Sequence, residues 1–437
     1  MRTYRLVFLA GVAALAANAQ APDLPSLTAF YQDLHAHPEL SRHEQRTSAA
    51  LAGELRKAGY DVTEHVGKYP SGAQAFGIVA ILKNGAGPVV LMRSELDGLP
   101  VEEKTGLPYA SHVRTKDDSG ADVGVMQACG HDLHMAAMLG AARLMASQKD
   151  RWAGTLMIVG QPSEETIDGA RAMLADGLYT RFPKPDYLVA EHDTPDIAAG
   201  KVGLTAGPIL ASSTSVDVTI RGVGGHGARP EAGKDPIVMA AEFVLALQTI
   251  VSRQISPQDP SVVTVGSIHG GSKHNIIPDE VTLQISTRSY SDEVRKTILA
   301  AIERTARGVA LTAGVPEDRA PIVKVGETES VPVTYNDPKL AARLKGALTS
   351  ALGAENVTEP RAEMGSEDFG LLGLEGRQIP VVMLRLGAAD PRELAESLRT
   401  GKPLPSLHSS LFYPRIDPAL RTGVMAMTAC ALDLMKK

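Results

Sequence analysis

The stretch GTLMIVGQPSEE, residues 154–165, contains a short apolar run that ends at two adjacent glutamates. Gly154 and Pro162 bound the run, which is typical of a buried β-strand. Similar runs occur in AFGIVAIL, PVVLMRSEL, PDYLVAEH and IPVVMLRLG, and helical patterns such as HMAAMLGAARLMASQ and GARAMLADGLY, each predicted to be one helix, lie between them. This alternation predicts an α/β domain whose mostly parallel sheet is covered by helices.

The pattern changes near residue 208. STSVDVTIRGVG alternates apolar and polar residues, and it begins a strand-helix-strand-strand-helix-strand order that is typical of a small α+β, ferredoxin-like domain. The alternation of helices with apolar strands returns near residue 330. We therefore predict a larger α/β domain at 20–207 and 330–437, interrupted by a smaller domain at 208–329. VRTKDDSGADVG is expected to be a surface loop.

Composition excludes some classes of function. The 437 residues carry a formal net charge of −6, and aromatic residues make up only 4%. The chain therefore lacks the basic excess and the stacking residues expected of a nucleic-acid-binding protein.

The first residues, MRTYRLVFLAGVAALAANAQ, have two arginines, an apolar run too short to span a bilayer and a small-residue cleavage site. We predict a signal peptide at 1–19 and a periplasmic or secreted protein with no membrane attachment after cleavage. A membrane anchor is the alternative. In an oxidising compartment Cys129 and Cys430 could pair, and the sequence does not exclude that bridge.

Four polar clusters lie where strands end or helices begin: SELDG, SEE, EHD and ACGHD. In open α/β sheets such positions share one crevice. A turn can direct Cys129 and His131 at one point, but the adjacent Glu164 and Glu165 would point in opposite directions in an extended chain. Thiolate, imidazole and carboxylate together suit Zn²⁺ or Mn²⁺, although each residue alone is more often structural.

Longer motifs carry a resemblance to a known family. They are MRSELDGLPVEEKTGLPYAS, GVMQACGHDLHMAAMLGAARLM, GTLMIVGQPSEETIDGARAMLADGLY, GGHGARPEAGKDPI, HNIIPDEVTLQISTRSY, MGSEDF and LHSSLF, in that order. Together they resemble the metal-dependent amidohydrolase/peptidase family of aminoacylases, hippurate hydrolases and indole-acetyl-amino-acid hydrolases. The resemblance covers nearly all of the chain after the predicted signal peptide.

The resemblance implies that two divalent metal ions, Zn or Mn, activate water for hydrolysis of an amide bond in an N-acyl amino acid or small peptide. It implies a general base at Glu164 and an oxyanion-stabilising His226. It also implies that the inserted domain is a lid through which the protein forms a homodimer. The implied metal ligands are Cys129, His131, Glu165, His192 and His408, and the implied substrate-binding residues are Asn275 and Arg288.

Asp97 and Asp132 could orient histidine ligands, whereas His35, His37 and His134 are expected to be structural or to support the ligands. The sequence departs from the usual family pattern at Glu95, where aspartate is usual, and at Ser410, where proline is usual. It also departs at the acidic neighbours of His192. These departures concern substrate detail more than reaction class.

Other functions remain open from the sequence. A dipeptidase or carboxypeptidase of the same fold would use the same residues. A cysteine-nucleophile amidase would use Cys129 with His131, but it would leave Glu165, His192 and His408 unexplained. A non-catalytic binding protein on this scaffold is the third alternative.

Overall fold

The computed structural model describes residues 21–374 and 377–437, so the predicted signal peptide, residues 1–19, lies outside the described residues. The helices are α1 (Leu24–Ala36), α2 (Gln45–Lys57), α3 (His131–Ser147), α4 (Gly169–Ala175), α5 (Leu178–Arg181), α6 (Pro236–Arg253), α7 (Asp292–Thr312), α8 (Pro338–Leu352), α9 (Pro391–Thr400) and α10 (Ile416–Met435). The strands are β1 (Asp61–Lys68), β2 (Gln74–Asn84), β3 (Val89–Glu95), β4 (Arg114–Lys116), β5 (Asp122–Gly124), β6 (Gly154–Gln161), β7 (Tyr187–Ala198), β8 (Val202–Gly203), β9 (Gly207–Leu210), β10 (Ser212–Arg221), β11 (Gly225–His226), β12 (Ser261–Gly270), β13 (Ile276–Ile277), β14 (Glu280–Ser289), β15 (Ile322–Val331), β16 (Thr334–Asn336), β17 (Val357–Thr358) and β18 (Val381–Ala389).

The larger sheet has the strand order β1-β2-β6-β3-β7-β18-β8-β17. Its central strands β6, β3, β7 and β18 are parallel, and β1 and β2 are antiparallel at one edge. Side chains of α1, α3, α8 and α10 pack against one face, and those of α4 and the 3-10 helix Asp368–Gly373 pack against the other. This arrangement confirms the predicted α/β class.

Helix α3 lies at the centre of this packing and positions the ACGHD turn at its start. Nearly all of its residues are buried, as expected for a helix covered on every side. Gly140 lets its neighbours approach closely, because a Cβ there would lie 2.5 Å from Val424 of α10 and 2.7 Å from Leu27 of α1. The turn before α3 is therefore anchored to a rigid element.

The second sheet has the order β12-β14-β10-β15, with antiparallel pairing throughout. Helices α6 and α7 pack on one face of it. The order strand-helix-strand-strand-helix-strand along the chain confirms the ferredoxin-like arrangement predicted from the sequence. We call this unit the lid.

Local details differ from the sequence-based expectations. The segment expected to be a loop contains the hairpin β4–β5, closed around Asp117, whose carboxylate accepts three hydrogen bonds from Ser119 and Ala121. GARAMLADGLY forms two short helices instead of one, because Gly177 adopts a φ of 83° between them. Cys129 and Cys430 are both free and buried, so they form no bridge.

Candidate metal centre

The five predicted ligands converge beyond the carboxyl ends of the central strands. Their ligand atoms form two overlapping trios, Cys129 with His131 and His192, and Cys129 with Glu165 and His408, each within 4.8 Å. The Cys129 Sγ lies 3.2 Å from His408 Nε2 and 3.6 Å from His192 Nε2. Both trios share Cys129, and together they contain all five predicted ligands.

The buried histidines present the correct nitrogen to a cation. His131 Nδ1 donates to the carbonyl oxygen of Asp97 at 2.8 Å, and His192 Nδ1 donates to that of Asp193 at 2.9 Å. These bonds fix the tautomer and leave each Nε2 with a free lone pair. Burial lowers the pKa of His192 well below its usual value, which favours the neutral, ligating form.

Two buried polar atoms at the centre have no hydrogen-bond partner among the described residues, His131 Nε2 and Glu165 Oε1. Leaving such atoms unsatisfied costs roughly 1–3 kcal/mol each. Divalent ions bound at the two trios would satisfy both atoms. The donor set of thiolate, imidazole and carboxylate also suits a Zn²⁺-like ion, so the residues present fit a metal site.

The loop after β6 resolves how two adjacent glutamates reach one cleft. Ser163 has a positive φ of 53°, which turns the chain just before them. The Asp97 carboxylate then accepts the backbone N–H of Glu164 at 3.1 Å and that of Glu165 at 3.0 Å. As a result, Glu164 Oε2 and Glu165 Oε1 both lie 3.9 Å from His131 Nε2.

Glu44, a residue that sequence reasoning did not single out, supports the same turn. Its carboxylate is fully buried and accepts the backbone N–H groups of Ser163 and Arg42, both at 2.8 Å. The Tyr69 hydroxyl contacts Ser163 Oγ at 2.5 Å. The sequence offered no signal for Glu44 beyond its position at the start of α2, because its partner lies 119 residues away.

The protonation of the centre depends on burial. Burial, with the neighbouring carboxylates of Glu367 and Glu165, raises the pKa of Glu164 well above its usual value. Burial raises the pKa of Glu165 to about 7, although the charge of His131 opposes that shift. Burial and the charges of both glutamates also raise the pKa of the Cys129 thiol well above its usual value. A metal-free Cys129 is therefore a poor nucleophile, which argues against the cysteine-amidase alternative.

The other predicted residues divide into two groups. Arg288, on β14, lines the cavity at the metal centre and donates to Ser366 Oγ at 2.5 Å. His226 and Asn275 are exposed and lie beside each other on the lid, where β11 pairs with β13. They do not line the cavity within this chain. The structure therefore brings Arg288, but not His226 or Asn275, to the cavity.

The supporting acids have distinct partners. Asp132 contacts His35 Nδ1 at 2.7 Å and not a proposed ligand, and His35 also contacts Glu103 at 3.1 Å. His37 is exposed. His134 lies between Glu95, 2.8 Å from its Nδ1, and the backbone N–H of Asp193, which donates to its Nε2 at 2.8 Å.

Two of the residues that depart from the family pattern, Glu95 and Glu191, are buried near the centre. Glu95 forms a buried ion pair with Arg93, which also contacts Glu367 at 2.7 Å and Asp368 at 3.1 Å. Both carboxylate oxygens of Glu191 are buried without a partner among the described residues, and burial raises its pKa to about 8. The unusual acids thus belong to buried clusters around the centre.

The cavity at the centre has a volume of about 710 Å³, within the usual range for small-molecule sites. Its walls include Ile167, Leu210, Val262, Met364 and Leu407, and no Phe, Tyr or Trp from the described residues lines it. The wall also contains Arg385 and Glu363, which form an ion pair. Sequence reasoning missed this pair, because a single arginine within an apolar strand gives no sign of the direction in which it points.

Comparison with known proteins agrees with this geometry. The sequence matches the model of the family described as Peptidase family M20/M25/M40 over residues 91–398. It is 35% identical to the N-acetyl-L-cysteine deacetylase of Bacillus subtilis, covering 78% of this chain and 76% of that protein. It is 36% identical to the hippurate hydrolase of Campylobacter jejuni, and the match covers 77% of this chain and 82% of that protein.

A solved structure shares the fold over almost its whole length. It is a Bacillus subtilis protein described as a dinuclear metal binding peptidase from the M20 family, with a TM-score of 0.73 and 25% identity. The match covers 93% of this chain and 97% of that one. The chain therefore belongs to the M20/M25/M40 peptidase family and is one of its metal-dependent amidohydrolases.

Proposed function

We propose that the protein hydrolyses the amide bond of N-acyl amino acids or small peptides, with Glu164 as general base beside two divalent ions. The observation that carries this proposal is the pair of ligand trios that share Cys129, with Glu164 against the same cavity. The relatives' deacetylase and hippurate hydrolase activities support the substrate class.

Cys129, His131, Glu165, His192 and His408 would hold the ions, Zn²⁺ or Mn²⁺. Coordination would keep Cys129 as a thiolate. Bound ions would polarise the amide carbonyl and lower the pKa of a bound water toward roughly 7.

Glu164 is placed to move the proton. Its carboxylate is buried, lines the cavity and lies 3.9 Å from His131 Nε2. It would take a proton from the attacking water and give it to the leaving amine, as a general base and then a general acid.

Arg288 would bind the substrate carboxylate from the lid side of the cavity. Its guanidinium is available for this, because it donates a hydrogen bond to the hydroxyl of Ser366 and forms no ion pair with a carboxylate of the described residues. A bidentate guanidinium–carboxylate pair fixes orientation as well as affinity. The substrate would then lie with its carboxylate toward the lid and its amide toward the proposed ion sites.

A homodimer through the lid would explain the positions of His226 and Asn275. Both are exposed in one chain, so they would reach the cavity of a second copy. Helix α6 supports an interface: by length and composition it is apolar enough to cross a membrane, but only 33% of it is buried. Its inner residues pack in the lid core, whereas Ile237, Val238 and Leu245 are exposed. Such an apolar face is typical of a protein-protein contact.

Export to the periplasm or medium is proposed from the first 19 residues, whose pattern is that of a cleaved signal peptide. Detection of mature protein beginning near Gln20 in an extracytoplasmic fraction would test this proposal. A protein that keeps the leader would contradict it.

The central experiment compares Glu164→Gln with Glu165→Gln in protein reconstituted with Zn²⁺ or Mn²⁺. We expect Glu164→Gln to keep about two metals per chain and to lose most turnover of an N-acyl-amino-acid and dipeptide panel. Glu165→Gln should lose metal as well as turnover. Unchanged turnover in Glu164→Gln would refute its role as the base. The panel separates an acylamino-acid hydrolase from a dipeptidase.

A further inference from the structure

The cavity wall contains a charged pair that the proposed mechanism does not use. Arg385 lies on β18, directly opposite His192 of the neighbouring strand β7. Adjacent strands lie about 4.8 Å apart, so this arginine stands beside the proposed ligand. Its guanidinium contacts Glu363, and both residues line the same cavity as the ligands.

The two partners differ in exposure. The Arg385 side chain is 7% exposed, whereas that of Glu363 is 40% exposed. Glu363 can therefore turn into solvent at little cost, but the buried cation of Arg385 would then need another anion. The pair thus combines a fixed cation with a replaceable carboxylate.

The hydrogen-bond pattern leaves Arg385 room for a second acceptor. Both oxygens of Glu363 accept from the same nitrogen, Nη2, at 3.0 Å each. A guanidinium carries five N–H donors, so those on Nε and Nη1 are not used by Glu363. Both edges that can form two parallel bonds with a carboxylate include Nη2, so a substrate carboxylate would bind in this way once Glu363 turns away.

The rest of the wall fits a short aliphatic chain that carries such a carboxylate. Ile167, Leu210, Met364 and Leu407 are aliphatic, and no Phe, Tyr or Trp from the described part of the chain faces the cavity. Arg288 lies in the same cavity, so two arginines are available. One can hold the carboxylate next to the scissile amide while the other holds a second anion.

We propose that Arg385 is a specificity residue that binds a second carboxylate of the substrate, and that Glu363 takes the place of that carboxylate when the cavity is empty. This inference rests on the proposed amide hydrolysis. The preferred substrates are N-acyl amino acids with an additional carboxylate on a short aliphatic chain, carried either by the released amino acid or by the acyl group.

Two matched substrate pairs test this proposal in the metal-loaded protein. N-acetyl-glutamate against N-acetyl-glutamine tests a carboxylate on the amino-acid side. N-succinyl-alanine against its terminal amide tests one on the acyl side. In at least one pair, we expect wild-type kcat/KM to favour the charged member by about 10- to 100-fold, mainly through KM.

The variants of the two partners should have opposite effects on this preference. Arg385→Gln should abolish the preference, and Arg385→Lys should restore part of it. Glu363→Gln keeps an oxygen for Arg385 but removes the competing charge, so it should increase the preference about fivefold. A purely structural ion pair would instead alter stability and both substrates equally, leaving the ratio unchanged.

Binding provides a measurement that does not depend on turnover. Calorimetry with metal-loaded Glu164→Gln should show tighter binding of the charged member, and the added Arg385→Gln change should remove that difference. Equal kcat/KM within each pair, or a preference that Arg385→Gln leaves intact, would overturn the inference while amide hydrolysis stands. If no N-acyl substrate is hydrolysed, the proposed function fails, and calorimetry alone then decides whether Arg385 binds a carboxylate.

Discussion

Replacing Asp97 with asparagine should disturb the metal centre without removing any proposed ligand. The Asp97 carboxylate accepts three hydrogen bonds: from Glu164 N–H at 3.1 Å, from Glu165 N–H at 3.0 Å and from Ser41 Oγ at 2.6 Å. Asparagine keeps one oxygen but presents an NH₂ group to the remaining donors. The Ser41 hydroxyl can rotate to accept, whereas the buried Glu165 N–H would lose its acceptor.

The cost follows from these contacts. Hydrogen bonds to a charged group contribute roughly 1.5–3 kcal/mol each, so losing one weakens the loop by about 2 kcal/mol. The Asp97 carbonyl, which holds His131, is unchanged. The loss should therefore fall on Glu165 and appear as about a 10- to 100-fold decrease in metal affinity or kcat/KM.

The assay measures kcat/KM and metal content over a metal titration, with thermal melting as a check on folding. Ser41→Ala is the matched control, because it removes one bond to the same carboxylate but no bond to either glutamate. It should change kcat/KM less than about threefold. Wild-type metal affinity and turnover in Asp97→Asn would show that the loop does not depend on this carboxylate.

Three further outcomes are expected. Cys129→Ser should reduce bound metal at both positions, because both trios share its sulfur; loss of one ion alone in metal analysis would contradict a shared ligand. Burial lowers the pKa of His35, but its bonds to Asp132 and Glu103 outweigh that effect and raise the pKa to about 9. The stabilisation, at most about 3 kcal/mol, is therefore complete below pH 6.5 and is lost as pH rises toward 9. The melting-temperature difference between wild type and His35→Gln should shrink as the pH rises from 6.5 to 9. A difference that does not change with pH would show that His35 is not protonated beside Asp132 and Glu103. Arg93→Met should destabilise the fold by about 3–5 kcal/mol in denaturant titration, because it leaves three buried carboxylates without their cation; a loss below about 1 kcal/mol would show that they are protonated.

The sequence predicted the fold because its signals are local. Apolar runs bounded by glycine and proline indicate strands, and their alternation with helices indicates the sheet. The ligand set could be predicted because family motifs are also local, and the structure brings those five residues together. Their roles in metal binding stay a prediction until metal content is measured.

The features that the sequence did not reveal depend on contacts between distant residues. Glu44 supports Ser163 across 119 positions, and Arg385 meets Glu363 across 22. Neither contact has a periodicity or spacing that a single sequence displays. The break after α4 was missed for a different reason, since a glycine within a helical pattern often continues the helix and only its φ of 83° ends it here.

Some of these long-range contacts hold strained backbone in place at the metal centre. Ser163, Ile167 and His408 have positive φ values of 53°, 50° and 66°, a conformation that costs roughly 1–3 kcal/mol for residues other than glycine. Local sequence cannot hold such a conformation, so tertiary contacts must. Glu44 fixes Ser163, and the Ala128 carbonyl accepts the His408 N–H at 2.8 Å. The strained segments carry proposed ligands from distant parts of the chain, Glu165 and His408, so the buried acids and the rigid start of α3 hold those ligands in position. A centre built this way loses affinity when a supporting residue changes, even though every proposed ligand remains.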